Sequence, residues 1–132
     1  SGMDAGKIYN TWPLMGGNFF PDDNLIINLF NFSAFNDPSL MQFVHRNLAY
    51  LIFLFYFLIL FNVYKNKLSI FFKPTNLIGL LLFLQIVLGI FTLLSGAQML
   101  LASLHQISSI FLVSSSIYLL YLNFNTNLQP SS

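Results

Sequence analysis

DPSLMQFVHRNLAYLIFLFYFLILFNVY, residues Asp37 to Tyr64, is the stretch that decides the fold. Its opening, Asp37-Pro38-Ser39, reads as a helix start. Asp37 is the N-cap and Pro38 takes the first helical position, where its missing N–H costs nothing. From Asn47 to Tyr64 no residue carries a formal charge. About 18 consecutive apolar residues in helical form suffice to cross a bilayer's hydrocarbon core. Backbone polar groups in lipid are satisfied only in helices or closed barrels, and this run has helix length.

Two further apolar runs follow, Leu77 to Leu94 and Met99 to about Leu122. Lys65, Lys67 and Lys73 lie around the first turn, and Pro74-Thr75-Asn76 predicts the start of the second helix. Ser95-Gly96 predicts its end, with Gly96 as a left-handed cap. The expected fold is therefore an all-α membrane protein with three transmembrane helices, over about 38–64, 75–95 and 98–122. Residues 1–36, broken by Pro13, Gly16, Gly17 and Pro21, form an expected outer-face loop. Within it Leu25 to Phe35 reads as a short interfacial piece. The bundle occupies 37–124, and 125–132 is an expected disordered tail. Asp4, Asp22, Asp23 and Asp37 all precede the first span, whereas the lysines follow it. By the positive-inside rule the lysine turn faces the cytoplasm or matrix, and the N-terminal loop lies outside.

Composition agrees. The 132 residues are 56% hydrophobic and 7% charged, against about 25% charged in ordinary soluble domains. The lipid bilayer is the expected solvent. Net charge is +1 with no basic run, so no nucleic acid is expected as a partner. Cysteine is absent, which excludes disulfides and thiolate metal sites. Ser1 to Gly6 has neither the basic region nor the apolar core of a signal peptide. A first residue other than Met suggests a trimmed start or a piece of something longer.

Both histidines fall within predicted spans. His45 lies seven residues past Pro38, and His105 seven past Gln98. Both helices enter from the outer face, so each imidazole sits about 10 Å along its helix from that face. An imidazole in lipid needs a polar partner. Two at matched depth on different helices are what a bundle uses to grip a metal cofactor. Zinc would require more ligands than the spans offer. Haem requires only axial ligands and an apolar, aromatic wall, which 16 Phe and 6 Tyr supply. The plainer reading is that each histidine hydrogen-bonds across helices.

Arg46 places a cation in the first turns of a helix, where the macrodipole disfavours it. A haem propionate, Asp37 or Asp23 would account for it, and so would snorkelling to the interface. Ser108, Ser109 and Leu112 share a helix face with His105 and read first as packing surface. Gln85 is the strongly polar residue in the middle of the second span. A hydrogen bond within the bundle is its expected role.

At these residues the chain resembles the haem A synthase family (Cox15/CtaA). The carriers are Ser1-Gly2-Met3-Asp4-Ala5-Gly6-Lys7 with Tyr9-Asn10-Thr11-Trp12-Pro13-Leu14-Met15-Gly16, then Gln42-Phe43-Val44-His45-Arg46. Gln85-Ile86-Val87-Leu88-Gly89-Ile90 and Leu101-Ala102-Ser103-Leu104-His105-Gln106 continue the match. The resemblance implies two four-helix halves, each holding a haem between two histidines, with this chain as an incomplete C-terminal half. It implies haem B as cofactor, with His45 and His105 as axial iron ligands. It also implies oxidation of haem O to haem A, a methyl-to-formyl conversion serving cytochrome c oxidase. The implied partners are the N-terminal half of the synthase, haem O bound through that half, and haem O synthase. The implied location is a bacterial inner membrane or the mitochondrial inner membrane. With only three spans, the chain by itself is not expected to catalyse the reaction. Two alternatives remain at this level: a two-histidine haem anchor or electron-transfer subunit of another respiratory complex, and an assembly factor without haem.

Overall fold

The computed structural model describes residues 7–128. Ser1 to Gly6 of the expected loop, and residues 129–132 of the expected tail, lie outside the described residues. Three α-helices dominate: α1 Pro38–Lys65, α2 Ser69–Leu94 and α3 Met99–Leu128. All three are long and apolar enough to cross a membrane. Among the described residues there is no strand, only an isolated bridge between Met15 and Asn18. The chain is an all-helical, multi-pass membrane protein. The central helix is α2, which packs against both α3 and α1.

The first helix starts as its cap dictates. The Asp37 carboxylate accepts the Leu40 N–H at 3.0 Å. Its other oxygen accepts from Asn24 at 3.2 Å, tying the loop to the helix entrance. Both interhelical turns close on Schellman bonds. Leu68 N–H reaches the Val63 carbonyl at 3.0 Å, with Lys67 in the left-handed region at φ 53°. Ala97 N–H reaches the Thr92 carbonyl at 2.8 Å, with Gly96 at φ 69°.

The sequence places the start of the second helix at Thr75, and the structure corrects this. Helix α2 begins at Ser69, and Pro74 lies inside it. Pro74 comes early enough in the helix that it forfeits a single backbone bond, to the Ile70 carbonyl, and the packing of the added turn offsets that loss. The extra turn buries Phe71. It also stacks Phe72 flat on Tyr64, with ring centres 4.6 Å apart and 3° between planes. The tail is corrected likewise, since α3 continues to Leu128 instead of ending at Leu122. No helix breaker precedes Pro130, and Thr126 hydroxyl donates to the Leu122 carbonyl at 2.8 Å. The interfacial piece is two short 3-10 helices, Ile26–Phe30 and Phe32–Asn36.

Lipid tails are as apolar as leucine, so close packing and hydrogen bonds hold such helices together. Tyr56 shows how α1 meets α2. Its ring end sits over Gly79, where a Cβ would overlap the hydroxyl, and that hydroxyl donates to the Thr75 carbonyl at 3.4 Å. Tyr64 and Asn76 exchange side-chain hydrogen bonds of 2.8 and 3.0 Å nearer the lysine turn.

The loop is pinned to the other end of α1 through Asp23, which accepts Ser39 hydroxyl at 2.6 Å and Tyr9 hydroxyl at 3.1 Å. The Ser39 bond, joined by that of Tyr9, holds the Asp23 carboxyl below the usual carboxylate range against a smaller desolvation effect. Tyr9 is raised, by desolvation first and then by Asp23. A depressed carboxyl contributes stability that is complete above its ordinary range and lost as pH falls through the lowered value. A raised phenol contributes stability that is complete below its ordinary range and lost as pH rises. Loop docking should therefore weaken when pH falls below about 4. Hydrogen exchange at residues 9–15 should quicken there, and Asp23→Asn should abolish that dependence. An unchanged acid profile in the variant would remove Asp23 from the explanation.

Candidate functional site

His45 and His105 are brought together. Their ring centres lie 6.3 Å apart with planes 76° from each other. The meeting follows from the two caps, since each histidine sits about two turns inside a helix that starts at the same end of the bundle. The pair occupies the side where α1 and α3 approach without extended backbone packing. His45 is exposed on its helix, and His105 is half-buried.

The surroundings of His105 are specific. Gly89 on α2 lies against its ring, and a Cβ there would come within 3.0 Å of Cε1 and 3.5 Å of Nδ1. Gln85, one turn earlier on the same face, donates from Nε2 to the His105 carbonyl at 3.0 Å and lies 3.4 Å from the ring's Nε2. Ser108 donates its hydroxyl proton to Gln85 Oε1. The buried Nδ1 of His105 has no hydrogen-bond partner. Sequence reasoning placed Gln85 in a hydrogen bond within the bundle but did not identify His105 as its neighbour. Spacing on one helix carries no information about register between helices.

This arrangement fits a metal held between the rings. A ligating imidazole nitrogen lies about 2 Å from its metal and about 1 Å from its own ring centre, so rings on opposite sides of one ion have centres about 6 Å apart. Among the described residues no three His, Cys, Asp or Glu side chains gather to hold a bare ion. Two imidazoles alone suit a metal whose other ligands come from a macrocycle. The incompletely bonded His105 ring and the cradle at Gly89 fit the same group. On the expectation that a haem sits between the rings, Gly89→Leu should drive the imidazole off its seat and cut haem retention by at least about 10-fold, the lower end of losses for groups that orient a ligand. Gly89→Ala should have a smaller effect in the same direction. Haem titration followed by absorbance checks both, and equal retention in Gly89→Leu would show that the close approach does not matter.

Arg46 departs from part of its expectation. Its guanidinium donates to four loop carbonyls: Thr11 at 2.9 Å, Leu14 at 3.1 Å, Tyr9 at 3.2 Å and Pro13 at 3.5 Å. Neither acid weighed as its partner holds it. Asp37 caps α1 and Asp23 takes Ser39 and Tyr9. A loop folded over the helix entrance turns its carbonyls inward, and a cation answers them despite the helix dipole. Gln42 adds a bond to the Tyr9 carbonyl at 2.9 Å. Phe43 meets Phe19 and Phe20 in steeply inclined ring pairs, with centres 5.7 and 4.9 Å apart. The histidine end of the bundle thus lies beneath a tied loop. The Arg46 Nε is buried and has no partner.

The chain is 45% identical over 125 residues to a heme A synthase of Pelagibacter ubique, covering 95% of this chain and 37% of that protein. It is 38% identical over 114 residues to a heme A synthase of Rickettsia felis, covering 86% of this chain and 34% of that protein. A heme A synthase of Bartonella henselae matches at 40% over 107 residues, covering 80% of this chain and 30% of its own length. The chain spans about a third of the length of these curated relatives. No solved structure matches. The pattern of the COX15-CtaA family, described as cytochrome oxidase assembly protein, matches residues 1–117. On that match, and with both histidines inside it, the chain belongs to the COX15-CtaA family.

Proposed function

We propose that this chain is the part of a haem A synthase that holds a haem B group between His45 and His105. The reaction on this reading is the oxidation of haem O to haem A, methyl to formyl, and it belongs to the longer protein of which the relatives are examples. The chain by itself is not the catalyst. The observation that carries the reading is the imidazole pair at 6.3 Å, within a chain 45% identical to a heme A synthase.

A haem held by these two residues would supply one-electron transfer. The residues do the rest. His45 and His105 would hold the haem iron. Gly89 gives the His105 ring its seat, and Gln85 ties that ring to α2. The loop is tied to the start of α1 through Gln42 and Arg46, next to His45. Arg46, adjacent to His45 and with its Nε unpaired, is the cation for a haem propionate. The lysine turn faces the cytoplasm, for a bacterial inner membrane, or the matrix, for a mitochondrial inner membrane. The partners are the remainder of the synthase, haem O bound through that remainder, haem O synthase as its supplier, and the bilayer.

The test is direct. The purified chain supplied with haem B in lipid nanodiscs should give the low-spin spectrum of a two-histidine haem, at one haem per chain. A high-spin spectrum, or no retained haem, would reject the reading.

A further inference from the structure

We propose that Gln85 is a positioning residue that presets the tautomer of His105, keeping the proton off Nε2 so that this nitrogen is ready to ligate a metal. The inference rests on the haem reading above for its purpose, but its geometry stands without the cofactor.

The argument begins with the direction of the Gln85 amide. One end of it lies against Ser108 Oγ, and the other lies 3.0 Å from the His105 carbonyl oxygen. The two ends differ chemically, since the nitrogen donates and the oxygen accepts. Turning the amide round would set Oε1 against the His105 carbonyl at 3.0 Å with no proton between two acceptors. With nitrogen toward His105, the amide donates to the carbonyl and Oε1 receives the Ser108 proton. That orientation gives both ends of the amide a complementary partner, so Ser108, whose hydroxyl also lies 3.0 Å from the His105 carbonyl, locks the amide; the ring's Nδ1 stays without a partner.

The amide nitrogen carries two protons. One goes to the carbonyl, and the other lies toward His105 Nε2 at 3.4 Å. An amide NH2 cannot accept, so a facing ring nitrogen is favoured only when it holds a lone pair. A neutral imidazole then carries its proton on Nδ1. Metal ligation requires a deprotonated nitrogen, and the Gln85 contact selects that state at Nε2. At 3.4 Å the contact is long and weak. A metal can take the lone pair while Gln85 keeps its stronger bond to the carbonyl. Gly89 completes the device, because its missing side chain lets the ring lie against α2 where Gln85 reaches it.

The experiment reads the tautomer in the haem-free chain. The chain is labelled with 15N-histidine in lipid nanodiscs, and the two histidines are told apart with His45→Ala. The wild-type His105 should show an unprotonated Nε2 and a protonated Nδ1. Gln85→Glu replaces the donor by an acceptor and should reverse the pattern. Gln85→Leu should leave a mixture. Ser108→Ala, which frees the amide without altering its chemistry, should weaken the bias. Haem B affinity should fall by about 10-fold in Gln85→Glu and by less in Gln85→Leu, within the range for groups that orient a ligand. A protonated Nε2 in the wild type, or one pattern throughout the series, overturns the proposal. If the tautomer follows Gln85 while the wild type binds no haem, the positioning role holds and the haem reading fails.

Discussion

Replacing His45 or His105 with alanine is expected to abolish the low-spin spectrum of the haem-loaded chain, each substitution sufficing alone. Groups that merely orient a metal ligand change affinity by about 10- to 100-fold, so loss of the ligand itself should cost more than about 100-fold. The two variants should not behave alike. His45 is exposed on α1, so its removal opens a site that a small base can enter. His105 is half-buried and seated on Gly89 and Gln85, so its removal leaves a slot walled by α2. Added imidazole should therefore restore the low-spin spectrum at lower concentration in His45→Ala than in His105→Ala. The double variant should retain no haem in a low-spin state. Helical content should be unchanged in all three, because neither ring contributes to a helix cap or to the contacts of Tyr56 and Tyr64. Spectra indistinguishable from wild type in both single variants would remove these residues from the metal altogether.

The pairing of the histidines was legible because it depends on helix starts. Asp37-Pro38 and Gly96 fix where α1 and α3 begin, and the 1.5 Å rise then sets the depth of each ring. Length and lack of charge made the three spans equally plain. The start of α2 was hidden by a local signal that tertiary packing overrides, since Pro74 marks a boundary only when nothing rewards the turn before it. The burial of Phe71 and the stacking of Phe72 provide that reward, but the ring that Phe72 meets lies on another helix. The end of α3 was misread because Asn123 and Asn125 are polar, and polarity at a bilayer's edge does not stop a helix. The neighbours of His105 were illegible for a different reason. Gln85 and Gly89 share one face of α2 by spacing, but which face meets α3 depends on how the two helices rotate. The partners of Arg46 are backbone carbonyls of an irregular loop, and no side-chain pattern encodes them.

Arg46→Ala should release the part of the loop tied to the start of α1 while leaving the spans intact. Four carbonyls lose their donors at once, and they belong to Tyr9, Thr11, Pro13 and Leu14. Hydrogen bonds to a charged group contribute about 1.5–3 kcal/mol each when well formed. Arg46 is only half-buried and its carbonyls can turn to water once freed. A total loss of about 3 kcal/mol in local docking is therefore expected, not the sum of four full bonds. That corresponds to roughly 100-fold faster hydrogen exchange of the loop by local opening. The effect should be graded along the chain. It should be greatest around residues 9–16, where the carbonyls and the Gly16 N–H bond to Thr11 hydroxyl form one unit. It should fade by Phe19 and Phe20, which keep their ring contacts with Phe43. Arg46→Lys keeps the charge but loses the planar fork that spans four acceptors, so it should recover only part of the protection. Exchange in the loop that matches wild type in Arg46→Ala would mean that Gln42, Asp23 and Phe43 hold it without the guanidinium. The same variant also separates two roles of this cation. If Arg46 serves a propionate as well as the loop, Arg46→Lys should keep haem affinity closer to wild type than it keeps loop protection. A carboxylate needs a nearby charge, whereas four carbonyls need the N–H donors of both terminal guanidinium nitrogens held in one plane.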